Sequence, residues 1–187
     1  MKKAFLSFLL IIAIAITGCS AEPSDDANAK FVKGEDGDWI FNFTADEFVE
    51  KWINDPFFKG TDFEVGSDET MTWMIDKKKN VYIVLSEDSK KSKVSGIAIA
   101  TDYDISVSQV LQIDLYALVV LKYLDEKLFD KSISEQTSDA LNDILNHKKE
   151  DTTLVIDDYL YNITSKNNKW IQILILPRPD ANQAYST

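Results

Sequence analysis

The chain has 187 residues, with 31 Asp and Glu against 20 Lys and Arg, and a formal charge of −11 at neutral pH. That balance argues against nucleic acid as a partner, and against adhesion by charge to anionic lipid or wall polymer. One cysteine and one histidine allow no intrachain disulfide and no zinc-thiolate set, so stability must come from an apolar core, for which the length suffices.

Lys2 and Lys3 open the chain, and residues 4–16 are apolar except for Ser7. This run has the length of a signal-peptide apolar region and falls short of the roughly 20 residues that a membrane-spanning helix needs. It ends in Ile16-Thr17-Gly18-Cys19-Ser20. An apolar residue, two small residues and a cysteine resemble the lipobox of bacterial lipoprotein precursors, with Ile16 where leucine is commonest. The resemblance implies cleavage before Cys19, a diacylglyceryl group on its sulfur and, in many bacteria, acylation of the new amine. Two acyl chains anchor stably where one binds marginally. The implied location is the extracytoplasmic face of the cell membrane, or the outer membrane in a Gram-negative cell, where Ser20 would favour that sorting. Loss of residues 1–18, with Lys2 and Lys3, would leave 169 residues and move the formal charge from −11 to −13.

Residues 19–37 read as a lipid-anchored tether, since Ser20 to Lys30 is polar, holds Pro23 and has few large apolar residues. A single domain is expected over 38–178, with a frayed terminus over 179–187. Thr44 and Glu47 form a capping box, and Phe43 and Phe48 fit a hydrophobic staple, so a helix starts here. Phe48, Trp52 and Ile53 share its apolar face, and Asp55-Pro56 stops it. Three strands are predicted at 70–76, 81–86 and 93–101, joined by short polar segments as an antiparallel meander. A long helix over 107–129 follows, with Val110, Leu111, Leu115, Leu118, Leu121 and Leu124 as core candidates. Ser132 and Glu135 give a second capping box, and Ala140, Leu141, Ile144 and Leu145 form one face of the helix they start. Two more strands, 154–164 and 170–176, flank a hairpin turn at SKNNK.

The expected fold is therefore α+β, with a mostly antiparallel sheet of about five strands in the order α-β-β-β-α-α-β-β and helices packed on the sheet. The order is similar to that of bacterial secretion chaperones, which are also acidic, although fold does not give function. Alternation places Gly96, Ala98 and Ala100 on one side of their strand, and Trp170, Gln172, Leu174 and Leu176 opposite Ile171, Ile173 and Ile175 on theirs. Both faces are then partly apolar, which predicts helices on both sides, the first on one and the later pair on the other.

Little in the chain points to reaction chemistry. A calcium-loop count from Asp36 to Glu47 fails, with Ile40 at a ligand position and Phe41 where the turn needs glycine. His147 sits at a helix end, where histidine meets the last carbonyls. No glycine-rich run follows a strand, and no cofactor is implied. Asp102 and Asp104 could approach Asp157 and Asp158 if their strands were neighbours, the arrangement of a surface hydrolase with paired carboxylates. The leading expectation is a membrane-anchored binding or accessory protein, with a partner protein, peptide or envelope component. Tyr82, Tyr159, Tyr161 and Trp170 are its candidate aromatic surface. A hydrolase and a structural envelope lipoprotein are the alternatives.

Overall fold

The computed structural model describes residues 29–90, 92–102, 107–146, 150–165 and 170–178. Cys19 and the lipobox-like run before it, Asp104, His147, residues 166–169 of the expected turn and residues 179–187 lie outside them.

The α+β class holds, but the strand count and element order are corrected. The described residues form a seven-stranded antiparallel sheet, a separate two-stranded ribbon and three α-helices. Strands β1 (Phe31–Lys33) and β2 (Trp39–Phe41) make the ribbon. Helix α1 (Ala45–Ile53) follows, with a 3-10 turn at Pro56–Phe58. A four-strand meander comes next: β3 (Phe63–Ser67), β4 (Met71–Asp76), β5 (Val81–Asp88) and β6 (Lys93–Asp102). Helix α2 (Val107–Leu124), a 3-10 turn at Glu126–Leu128 and helix α3 (Lys131–Leu145) cross back. Strands β7 (Asp151–Ile156), β8 (Tyr159–Ser165) and β9 (Trp170–Pro177) close the chain. The sheet order is β3-β4-β5-β6-β9-β8-β7, so β9 inserts between β6 and β8.

Each missing strand has a physical cause. The run 154–164 is two strands, because Asp157 and Asp158 form a two-residue turn between the paired Ile156 and Tyr159. Asp157 adopts φ 51°, a left-handed conformation that its short polar side chain tolerates. β3 sits at the sheet edge with mostly exposed side chains and an internal glycine, so its alternation of Phe63 and Val65 with Glu64 and Gly66 is too brief to stand out. The ribbon strands are three residues each, and Gly37, at φ 83°, lies in the turn between them. Regular pairing thus begins at Phe31, inside the segment 19–37 expected as tether.

The first helix forms as predicted. The Thr44 N–H donates to Glu47 Oε2 at 2.6 Å, and the Glu47 N–H donates to Thr44 Oγ1 at 3.2 Å. The Phe43 and Phe48 rings stack at 5.9 Å, although Ile53 is 47% exposed. Helix α2 stops at Leu124 rather than 129, where Asp125 accepts the Lys127 N–H. For α3, Asp130 and not Ser132 is the cap, accepting the Ile133 N–H at 2.9 Å. Leu111 is exposed, unlike the Val110 beside it. No helix among the described residues is long and apolar enough to cross a membrane.

Alternation along the strands sorts the sheet into two faces. On the first, Met74, Ile83, Ile99, Ile173 and Ile163 stand side by side across five strands, all fully buried. Leu85, Ile97, Ile175 and Tyr161 form the next row, equally buried. Each such side chain contributes about 1.5–3 kcal/mol of burial. The helices pack on this face. Trp52 of α1 stacks on Phe58 at 4.3 Å, and both rings meet Tyr116 of α2 edge-on. Tyr116 Oη donates to Asp76 Oδ2 at 2.7 Å, from a first-face position of β4. Asp76 Oδ1 accepts the N–H groups of Lys78 and Lys79, so one buried carboxylate also shapes the β4–β5 turn. On α3, Ser138 Oγ donates to Asp114 Oδ2 of α2 at 2.9 Å. The expected division of helices between the two faces is corrected: α1 shares one aromatic cluster with α2, and that cluster fixes both on the same side.

Asp114 is 6% exposed, and its Oδ1 has no hydrogen-bond partner. Burial pushes its carboxyl above the usual carboxylate range, against the opposing pull of the Ser138 and Thr137 hydroxyls. The folded chain therefore binds this proton more tightly than the unfolded chain. This site's contribution to stability falls as pH rises from the unfolded value near 3.8 through the folded one. Asp114→Asn keeps an acceptor for Ser138 and removes the ionisation. It should raise the denaturation midpoint at pH 7 and flatten the loss of stability from about pH 4 upward, as urea titrations across that range would record; an unchanged pH profile would contradict the assignment.

Candidate functional site

The second face of the sheet is built from the residues between those core rows. Its middle row runs Gly66, Trp73, Val84, Ala98, Leu174 and Asn162 across β3, β4, β5, β6, β9 and β8. A flanking row carries Ile75, Tyr82, Ala100, Gln172 and Thr164. Among the described residues no helix packs here. Most of these side chains are half-buried, whereas the first-face rows are fully buried.

The face has relief. Trp73 lies across Gly66, where a β-carbon would stand 2.6 Å from its Cζ2. Leu176 leans over Gly96 in the same way, 2.9 Å from where a β-carbon would be. Between them β6 offers only Gly96, Ala98 and Ala100, and Leu176 of β9 fills the space over Gly96. Ala98 and Val84 are each 7% exposed. On this face β4, β6, β8 and β9 present no charged side chain between Met71 and Ile75, Gly96 and Ala100, Leu160 and Thr164, or Trp170 and Leu176, and β5 presents none from Tyr82 to Ser86. Charge returns at the rim, where Glu64 of β3 pairs with Lys77. The surface offers apolar contact, aromatic rings and the amides of Gln172 and Asn162.

The four aromatic residues singled out in the sequence divide between the faces. Tyr82 and Trp170 are on the second face, half-buried, with Tyr82 Oη donating to Asn80 Oδ1 at 3.2 Å. Tyr159 and Tyr161 belong to the core and are removed from the candidate surface, at 1% and 0% exposure. Tyr159 Oη donates to the Leu124 carbonyl at 3.3 Å, and its ring meets Phe31. Burial raises the hydroxyl pKa of both above the ordinary tyrosine value. Along β8 they alternate with Leu160 and Asn162, which puts both on the buried first face. Trp73 was not singled out; its signal was the alternation Thr72, Trp73, Met74, Ile75 opposite a glycine on the neighbouring strand.

Asp102 and the Asp157–Asp158 turn stand at opposite ends of β9. Asp102 pairs with Trp170 at the start of β9, while the Asp157–Asp158 turn precedes Tyr159, which pairs with Pro177 at its end. Seven steps along β9 put them about 23 Å apart, well beyond the separation of a glycosidase pair, about 5–10 Å. Comparison with family models, with curated proteins and with solved structures gave no match.

The Gly66–Trp73 contact gives a direct test of this surface. Gly66→Val should force the Trp73 ring off its neighbour and cost about 1–3 kcal/mol, read as a lower urea midpoint with unchanged far-UV circular dichroism. An undiminished midpoint would mean that Trp73 does not lie over β3.

Proposed function

We propose that this chain is a membrane-anchored, extracytoplasmic lipoprotein that acts by binding, an accessory protein whose second sheet face meets another protein of the cell envelope. The carrying observation is that face itself: uncharged across its centre, part apolar, and without a helix over it among the described residues. Protein interfaces are depleted in charge at their centre and enriched in aromatic residues, as this surface is. The lipobox resemblance at Ile16-Thr17-Gly18-Cys19 supports the anchor, through acylation of Cys19. The net negative charge directs the domain away from an anionic bilayer surface and leaves the lipid to hold it there.

Two variants separate the two parts of the reading. Cys19→Ala should move the protein from the membrane fraction to the soluble fraction. Trp73→Asp should stay with the membrane and lose at least tenfold of the product captured by chemical cross-linking in intact envelopes. If Cys19→Ala sediments with membranes unchanged, the anchor is wrong; if Trp73→Asp cross-links as the parent does, the surface is wrong.

A further inference from the structure

We infer that Ile53, Phe57 and Phe129 form an apolar edge that rests in the surface of the bilayer holding the lipid of Cys19. The inference depends on the anchor proposed above and adds how the domain lies on the membrane.

Exposure is the first observation. Ile53 ends α1, Phe57 lies in the 3-10 turn that follows, and Phe129 comes directly after the 3-10 turn beyond α2. Each is about half exposed. Val65, Leu111 and Val155 are exposed as well, but each stands on its own element.

The second is that the C-terminal ends of α1 and α2 are bonded to each other, which brings these side chains to one edge. Tyr123 Oη donates to the Lys51 carbonyl at 3.5 Å, and Lys51 Nζ donates to the Tyr123 carbonyl at 3.4 Å. Asp55 Oδ1 accepts the Phe57 N–H at 2.6 Å. Against the upward push of burial, the Tyr123 hydroxyl, that N–H and the charges of Lys122 and Lys51 hold the Asp55 carboxyl below the usual carboxylate range. The same Lys122 ammonium stands 5.7 Å from the centre of the Phe129 ring. Lys122 therefore links the turn that carries Phe57 to Phe129.

The third is where the chain enters. Lys30 is bonded to Asp125, which opens the turn that Phe129 follows. At about 2 Å per residue, Phe129 is about 8 Å further along. Ten residue steps separate Ala29 from Cys19, and a coil of that length spans about 17 Å on average. A lipid at Cys19 thus keeps this edge near the bilayer. At such range a second, weak contact acts as an intramolecular one, with an effective concentration on the order of mM.

Charge gives the edge no attraction of its own. Lys122 and Lys51 face Asp55, and Lys30 faces Asp125, with the charges of Asp157 and Asp158 also reaching it. The apolar side chains carry the contact. Phenylalanine rings enter the apolar boundary of a bilayer, and a lysine stem such as that of Lys122 lies along them with its ammonium among the headgroups. Separate rings on two turns need no matching relief, which suits a fluid surface. Both helices pack on the first face of the sheet, so this orientation leaves the second face available.

The test uses the full chain, purified from membranes with its lipid and reconstituted in phosphatidylcholine vesicles that carry a doxyl-labelled lipid as quencher. Phe57→Cys, Phe129→Cys and Leu111→Cys are each labelled with a thiol-reactive fluorophore. All three positions are exposed, and Leu111 lies on α2 about 20 Å from the end that leads to Phe129. Quenching should be at least threefold stronger at Phe57→Cys and Phe129→Cys than at Leu111→Cys, and should persist in high salt, which screens charge but not apolar contact. Quenching at either position no stronger than at Leu111→Cys overturns the inference and leaves the anchor standing. Blue-shifted emission that the lipid quencher does not touch means that protein covers the edge, and overturns it as well. The parent chain tests the anchor separately: if Cys19 takes up label and the chain is absent from the membrane fraction, anchor and inference fall together.

Discussion

Trp52 is fully buried, stacked 4.3 Å from Phe58 and edge-on to Tyr116 and Tyr123. These rings come from α1, the turn after it and α2, and Phe63 of the edge strand closes the cluster. The arrangement holds even though the indole Nε1 is buried without a hydrogen-bond partner, a cost of about 1–3 kcal/mol. Aromatic pairs in favourable geometry return about 0.5–1.5 kcal/mol each beyond their burial, and Trp52 makes several. The consequence is topological: α1 arrives before the sheet in the chain and could have covered either face, and the stack commits it to the side that α2 occupies.

Polar groups within that layer are placed with similar economy. Asp76 is 1% exposed, yet its carboxylate is met by Tyr116 Oη and by two backbone N–H groups, and Lys79 Nζ stands 3.8 Å away. One side chain thereby joins α2 to β4 and fixes the turn into β5. Asp114 has only hydroxyl partners and no cation bonded to it, which is why burial governs its proton. The core is therefore held by apolar rows with two carboxylates inside them, one well satisfied and one not.

Much of this was legible in the sequence where a local rule decided the outcome. Thr44, Glu47, Phe43 and Phe48 announce α1 because capping and stapling act within a few residues. The meander β4–β6 and strand β9 are readable from alternation, as is the sharing of one side by Gly96, Ala98 and Ala100. What failed depended on information from afar. The break at Asp157 looks like the interior of an apolar strand until a positive φ is known to be there. β3 is fixed as a strand by pairing with β4, its own alternation being limited to Phe63 and Val65 against Glu64 and Gly66. The number of helices on each face could not follow from a sheet that is partly apolar on both, since that pattern fits a covered second face and a bare one equally. Trp73 gained meaning only when the register placed it over Gly66.

The start of the described chain is clamped at one point. The Asn42 side chain donates to the Ala29 carbonyl, the Asn42 N–H donates to that of Lys30, and the Lys30 ammonium is bonded to Asp125, which it holds below the usual carboxylate range. With Cys19 in a bilayer, ten residue steps would separate the lipid from this clamp, at most about 36 Å of contour. That is little more than twice the roughly 15 Å radius of gyration expected for a domain of this size. Any mechanical load on the anchor would therefore fall first on Lys30, Asp125 and the three residue pairs of the ribbon, with the seven-stranded sheet in its lee. Peeling β1 and β2 would pay out chain in the manner of a shock cord, lengthening the leash while leaving the second face intact.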